Sequence, residues 1–161
     1  MDGFGLSVAL EDSRLFAGSP GGPYVDDDQA VEGAVWVVDL DVANGWTRLD
    51  HGGGGTPLLG GWGCLEAGAP VTVRAYETFE AGSLALLVVG ASEVDLPIKS
   101  YLLLPSPDFL IPAVLGPIGD AEFSGAWPSG LASGTSLWFQ AWVDDGFHGW
   151  YVSKGLQATQ P

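Results

Sequence analysis

Aromatic side chains gather near the C-terminal end of the sequence, in the stretch WVDDGFHGWY at residues 142–151. Exposed aromatic faces stack on the apolar faces of sugar rings, and carboxylates and histidine bind hydroxyl groups, so this stretch is a candidate glycan-binding site. The alternative is that the two indoles cover the core of the domain or an interface. The candidate binding residues are Trp142, His148, Trp150 and Tyr151.

Residues that could catalyse a reaction match no catalytic motif. The sequence has no Gly-x-Ser-x-Gly elbow, and His51 and His148 lie in glycine-rich or turn-like stretches, where a solvated polar role is the simpler interpretation. The single cysteine, Cys64, is expected to be a buried structural thiol. Neighbouring carboxylates such as Asp144 and Asp145 could serve a glycosidase, but 20 acidic residues produce such neighbours by chance. We therefore predict no catalytic residues and no enzymatic activity.

Three consecutive acidic residues, Asp26, Asp27 and Asp28, offer carboxylate oxygens of the kind that Ca²⁺ prefers, within a long loop. A solvated run of charge is the simpler explanation, although Ca²⁺ binding there stays open. The sequence otherwise predicts no metal site and no cofactor. With one cysteine, an internal disulfide and a tetrahedral thiolate zinc site are both excluded.

The charge balance narrows the range of partners. Twenty acidic against five basic residues give a net charge of -15, which argues against nucleic acid and anionic membranes, because both are bound through Lys and Arg. No apolar run is long enough to span a bilayer, and the first residues lack the positive and apolar blocks of a signal peptide, so we expect none in this sequence. The composition thus indicates an acidic, well-solvated protein without membrane insertion.

Glycine, proline and short apolar stretches predict an all-β fold. Residues 1–50 alternate four short strands with turns, which indicates a small antiparallel meander, and the glycine-rich residues 51–62 are interpreted as a linker. Residues 63–161 hold about seven strands, as an immunoglobulin-like β-sandwich requires. LALLVV is expected to be a central strand buried on both faces. SLWFQAWV alternates, and if one face, with Leu137, Phe139, Ala141 and Val143, meets the core, the other face points outward with Trp138, Gln140 and Trp142.

The pieces DGFGLSVAL, LFAGSP and GAVWVVDLD occur in order within the first third of the chain. Together, residues 2–50 resemble an FG-GAP repeat, the blade unit of integrin-type β-propellers. Calcium-binding repeats of that family carry a longer acidic loop than Glu11-Asp12-Ser13, so the resemblance implies no Ca²⁺ site at that position. Residues 63–161 are similar to a C-terminal domain that follows such repeats in large secreted planctomycete-type proteins. This resemblance implies an extracellular or cell-surface setting and no catalytic residues.

One blade cannot form a propeller, because its apolar face needs neighbouring repeats to bury it. We expect the blade to pack on the sandwich or on a partner, which includes self-association. The apolar side chains that would be covered are Phe4, Val8, Phe16, Val35 and Val37. The leading hypothesis is a non-enzymatic structural or interaction module. The alternative is a carbohydrate-binding or adhesion module, and the third is a glycoside hydrolase of unrecognised type.

Overall fold

The computed structural model divides the chain into two compact units, Met1–Ala43 and Asn44–Pro161. It describes residues 7–11, 14–19, 34–39, 45–54, 56–76, 81–144, 146 and 149–161, and for the first three ranges it describes the backbone alone. Asp26, Asp27, Asp28 and His148 therefore lie outside the described residues, as do the apolar side chains of the blade that were expected to be covered.

The described part of the first unit is a three-stranded antiparallel sheet in the order β1-β2-β3. Its strands are β1 (Ser7–Glu11), β2 (Arg14–Ser19) and β3 (Ala34–Asp39). Ser7 lies opposite Gly18, and Arg14 lies opposite Asp39. These strands are the first three of the predicted meander, as their alternation of apolar runs and turns indicates.

The described part of the second unit contains two antiparallel sheets and a hairpin. The larger sheet has the order β10-β7-β12-β14-β4, with β13 also paired to β12, and the smaller sheet has the order β11-β6-β5. The strands of the larger sheet are β4 (Trp46–Gly52), β7 (Leu84–Gly90), β10 (Phe109–Val114), β12 (Ser136–Asp144), β13 (Trp150–Val152) and β14 (Lys154–Thr159). Those of the smaller sheet are β5 (Leu58–Gly63), β6 (Pro70–Tyr76) and β11 (Asp120–Ala126), and the hairpin consists of β8 (Glu93–Ile98) and β9 (Tyr101–Pro105).

The core of the second unit lies between the two sheets. Strand β12 contributes Phe139, Ala141 and Val143, whose spacing of two places them on one face. The other buried apolar members of this cluster are Trp46, Leu59, Leu65, Val73, Ala75, Ala85, Leu87, Val89, Leu115, Ala121, Phe123, Trp127, Leu156 and Ala158. The prediction of an all-β, sandwich-like fold is confirmed.

Strand β7 has the central position that its sequence predicts. It pairs with β10 on one side and β12 on the other. Leu87 and Val89 belong to the core, and Val88, which points to the opposite face, is also buried. The apolar run matches a strand that is covered on both faces at residues 87–89, whereas Leu84 at its start is 45% exposed and Leu86 is half-buried.

The strand at Trp46–Gly52 differs from the sequence interpretation, which places residues 46–49 in the N-terminal meander. β4 instead pairs with β14, with Trp46 opposite Ala158. The Trp46 indole is buried, packs edge-on against Trp127 at a centroid distance of 6.3 Å, and donates a hydrogen bond to the Gly63 carbonyl. Burial of this large ring in the sandwich core accounts for the position of β4.

The predicted linker at residues 51–62 also differs from the structure, since its second half is β5, paired with β6 from Leu58 opposite Tyr76 to Gly63 opposite Val71. Glycine usually weakens a strand. Here the missing side chain at Gly61 makes room for the Trp46 ring, which a Cβ at that position would overlap. Packing between the sheets therefore overrides the low strand propensity of glycine.

The prediction for Cys64 is wrong, because the thiol-bearing residue is exposed. Strand β5 ends at Gly63, which has a φ of 106°, and the chain then turns so that Leu65 is the buried residue of the pair.

Among the described residues, no helix of sufficient length and apolar character to cross a membrane is found.

The turn between β9 and β10 is held by the carboxylate of Asp108. Its Oδ2 accepts hydrogen bonds from the Ala91 N–H at 2.8 Å and from the Ser106 hydroxyl at 2.7 Å. These two bonds, the one from Ala91 first, lower the pKa of Asp108 below its ordinary value of 3.8, because they stabilise the charged form.

Replacing Asp108 by alanine is expected to lower the melting temperature at neutral pH and to have less effect in strong acid. A carboxyl whose pKa is lower in the folded state stabilises the fold above 3.8, and this contribution is lost as the pH falls through the lowered value. Thermal melts of wild type and Asp108→Ala over a pH series test this, with Asp50→Ala, an exposed carboxylate of β4, as the control. A gap in melting temperature that stays constant with pH would contradict the assignment.

Candidate functional site

The candidate site lies on the face of the larger sheet that points away from the core. Trp138, Gln140 and Trp142 of β12 alternate with the core residues and so share this face, as the sequence predicts. The face is not fully open to water, because β9 contacts β12, β4 and β7. Both indoles are consequently half-buried, and Gln140 has no exposed surface.

Gln140 joins the hairpin to the sheet. Its Oε1 accepts hydrogen bonds from the Leu104 N–H at 3.1 Å and the Trp142 indole N–H at 3.3 Å. Its Nε2 donates to the carbonyls of Leu102 at 2.9 Å and Ser153 at 3.2 Å. A fully buried amide is tolerated here because its oxygen and its nitrogen each have two partners.

The hairpin approaches the sheet closely at Gly155 of β14. A Cβ there would overlap the Leu104 side chain and would lie 2.9 Å from Cδ1 of Leu49. Glycine at this position therefore allows the fully buried Leu104 to pack directly on the sheet. The position of the hairpin depends on this contact as well as on Gln140.

A groove of about 420 Å³ opens where the hairpin turn meets the ends of β12 and β13. The ring centroids of Trp142 and Trp150 are 6.5 Å apart with an interplanar angle of 64°, and those of Tyr101 and Trp142 are 6.2 Å apart with an angle of 76°. All three rings are half-buried. The groove is lined by Leu86, Ile98, Lys99, Ser100, Tyr101, Trp142, Gly149 and Trp150.

The structure brings together two of the four predicted binding residues, Trp142 and Trp150. Tyr151 lies opposite Val143, a core residue, so it is on the other face of β13 and is not among the groove residues. His148 lies outside the described residues. The acidic turn is partly described: Oδ1 of Asp144 accepts a hydrogen bond from the Gly146 N–H at 3.0 Å, which closes the turn.

Tyr101, Lys99 and Ser100 were not predicted as site residues. Lys99 and Ser100 form the hairpin turn and Tyr101 begins β9, far from Trp142 in sequence. Lys99 has a φ of 55°. No local pattern marks which strand a hairpin will cover. The apolar run after residue 100 predicts a strand at these positions. It does not indicate which part of the fold that strand contacts.

The groove combines apolar ring faces with polar groups at its edge. The rings offer surfaces for an apolar ligand face, while the Lys99 ammonium and the hydroxyls of Ser100 and Tyr101 can bond ligand oxygens. Its volume is within the range typical of small-ligand sites. None of the described lining residues carries a carboxylate, so they do not supply the carboxylate pair of a glycoside hydrolase.

Comparisons with protein-family models, with curated proteins and with solved structures find no match to this chain.

Proposed function

We propose that this chain is a non-enzymatic binding module that holds a carbohydrate in the aromatic groove. The observation that carries the proposal is the set of three half-buried rings, Trp142, Trp150 and Tyr101, at the edge of one groove. Large rings that served only the core would be buried as Trp127 is, with 1% of its surface exposed. Partly exposed indoles beside hydroxyl and ammonium groups match a ligand with apolar faces and many hydroxyls.

The charge of the protein restricts the class of carbohydrate. A net charge of -15 repels polyanions over long range, so a neutral glycan is the expected ligand. An extracellular or cell-surface setting is part of the proposal, since neutral glycans are abundant there. It is supported by the resemblance of residues 2–50 to an FG-GAP blade and of residues 63–161 to a secreted C-terminal domain.

Binding to a glycan array tests the proposal, and replacing either indole by alanine is expected to weaken binding at least about tenfold, or about 1.4 kcal/mol. The reason is that Trp142→Ala and Trp150→Ala each remove one stacking surface from the groove. Phe109→Ala is the matched control, because this ring is 68% exposed on β10 and lies outside the groove. Titration calorimetry with the best array ligand gives the affinities.

Two results would count against a sugar site. One is the absence of any retained glycan. The other is retention that both indole variants leave unchanged, while their circular dichroism shows that they fold.

A structural or interaction role is the second candidate, and strand β10 favours it. β10 is an edge of the larger sheet and exposes Phe109, Leu110, Ile111 and Val114. An apolar edge strand offers unpaired backbone groups to a strand of a partner, although Pro112 limits the length of such pairing. A partner that docks on this edge would be released by Phe109→Ala and kept by Trp142→Ala, which is the reverse of the pattern expected for a glycan.

A further inference from the structure

Three potential metal ligands meet at the junction of β4 and the hairpin: His51, Glu93 and Asp95. His51 comes from the end of β4, and the two carboxylates come from β8. One donor atom from each residue lies within 4.8 Å of the others, and Nε2 of His51 is 2.7 Å from Oε1 of Glu93. All three residues are exposed, so an ion can reach them from solvent.

The backbone of β8 is irregular where it presents the carboxylates. Glu93 lies opposite Pro105 and Leu96 opposite Leu103, so β8 has one extra residue over this interval, which is a β-bulge. Asp95, within the bulge, has a φ of 49°. The two carboxylates therefore lie on an irregular part of β8, close to His51 near the end of β4.

An ion pair between His51 and Glu93 accounts for only part of this arrangement. It leaves the Asp95 carboxylate close to that of Glu93, and two carboxylates repel each other when both are charged. A divalent cation between the three groups would offset this repulsion. The net charge of -15 adds a long-range attraction for cations.

We infer that His51, Glu93 and Asp95 form a binding site for a divalent transition-metal ion of the Zn²⁺ class. One imidazole nitrogen with two carboxylate oxygens is a donor set that suits Zn²⁺, whereas Ca²⁺ takes 6–8 oxygen ligands. In a tetrahedral site with bonds of about 2.0–2.2 Å, the donor atoms lie roughly 3.3–3.6 Å apart, so a small rotation of exposed side chains completes the geometry. Three protein ligands leave the fourth position for water.

Such an ion would fasten the hairpin to the edge of the sheet. The β8–β9 hairpin is held at β12 by Gln140 and at β14 by the contact over Gly155. The metal would add a third attachment, at β4. Metal binding at these three residues does not depend on carbohydrate binding in the groove.

Titration calorimetry and thermal melts of the full chain, free of affinity tags and freed of metal by dialysis against chelator, test the site with Zn²⁺ alone. Wild type is expected to bind one ion and to melt at a higher temperature when Zn²⁺ is added. His51→Ala should abolish both effects. Asp95→Asn and Glu93→Gln each remove a charged ligand and should each weaken Zn²⁺ binding at least about tenfold.

His148→Ala is the matched control, because it removes the only other histidine of the chain. It should leave Zn²⁺ binding unchanged. The site is overturned by the absence of heat and of a melting shift up to millimolar Zn²⁺, or by Zn²⁺ binding that survives His51→Ala. Because the three residues are exposed, the variants are expected to fold, and circular dichroism confirms this before each titration.

Discussion

A chain that begins at Asn44 is expected to unfold in one cooperative transition, whereas a chain that begins at His51 is expected to lose that transition. The two differ mainly in β4, which contributes Trp46 to the core and pairs with β14. Loss of a buried tryptophan alone costs about 3–5 kcal/mol, a large part of the stability of a small domain. Removal of β4 also leaves the backbone groups of β14 unpaired along one side.

Thermal melts and urea unfolding of the two truncated chains measure this difference. Trp46→Ala in the full chain is the complementary variant, since it keeps the backbone of β4 and removes only the ring. It should give an intermediate loss of stability. Equal melting temperatures for the two truncated chains would show that β4 is not an integral part of the sandwich.

Replacing Gln140 by leucine is expected to lower the free energy of unfolding by at least about 3 kcal/mol, because each buried polar group left without a partner costs about 1–3 kcal/mol. The change leaves the Leu104 N–H and the carbonyls of Leu102 and Ser153 without their partner. The Trp142 indole also loses the acceptor that fixes it in the groove. We therefore expect glycan affinity to fall together with stability.

Gln157→Leu is the matched control for this substitution. Gln157 is a half-buried glutamine of β14 that donates a hydrogen bond to the Ser136 hydroxyl at 3.0 Å. Its replacement should change the free energy of unfolding by about 1 kcal/mol or less. Urea unfolding of the two variants gives the comparison, and similar losses would mean that the Gln140 network does not hold the hairpin.

Local patterns were sufficient to predict the parts of the fold that depend on alternation and continuity. The alternation around Phe139 predicted which residues of β12 share a face, and the apolar run at Leu84–Gly90 predicted a central strand. In both cases the pattern of apolar residues within one strand indicates which of its faces are buried, and no information on distant segments is needed.

The sequence could not predict which distant strand each element would join. The glycine-rich stretch that begins at residue 52 makes Trp46 look like part of the preceding meander. Its ring instead packs against Trp127 and over Gly61. Gly61 favours a linker on intrinsic propensity, because glycine is a poor strand former. Propensity cannot indicate that the Trp46 ring fills the space that a side chain at this position would occupy. Tyr101 was missed in the groove for the same reason, because only tertiary packing brings the hairpin to Trp142.

The pairing of β4 with β14 also has a consequence for the order of folding. These strands are the first and the last of the second unit, so Trp46 meets Ala158 only after nearly the whole unit has been synthesised. Closing such a long loop costs entropy before any contact compensates for it, which favours late formation of the contact and slow folding. Until then the Trp46 indole stays exposed on the nascent chain, and β14 keeps an unpaired edge after its own synthesis until β4 joins it. Both are accessible to chaperones and prone to mispairing.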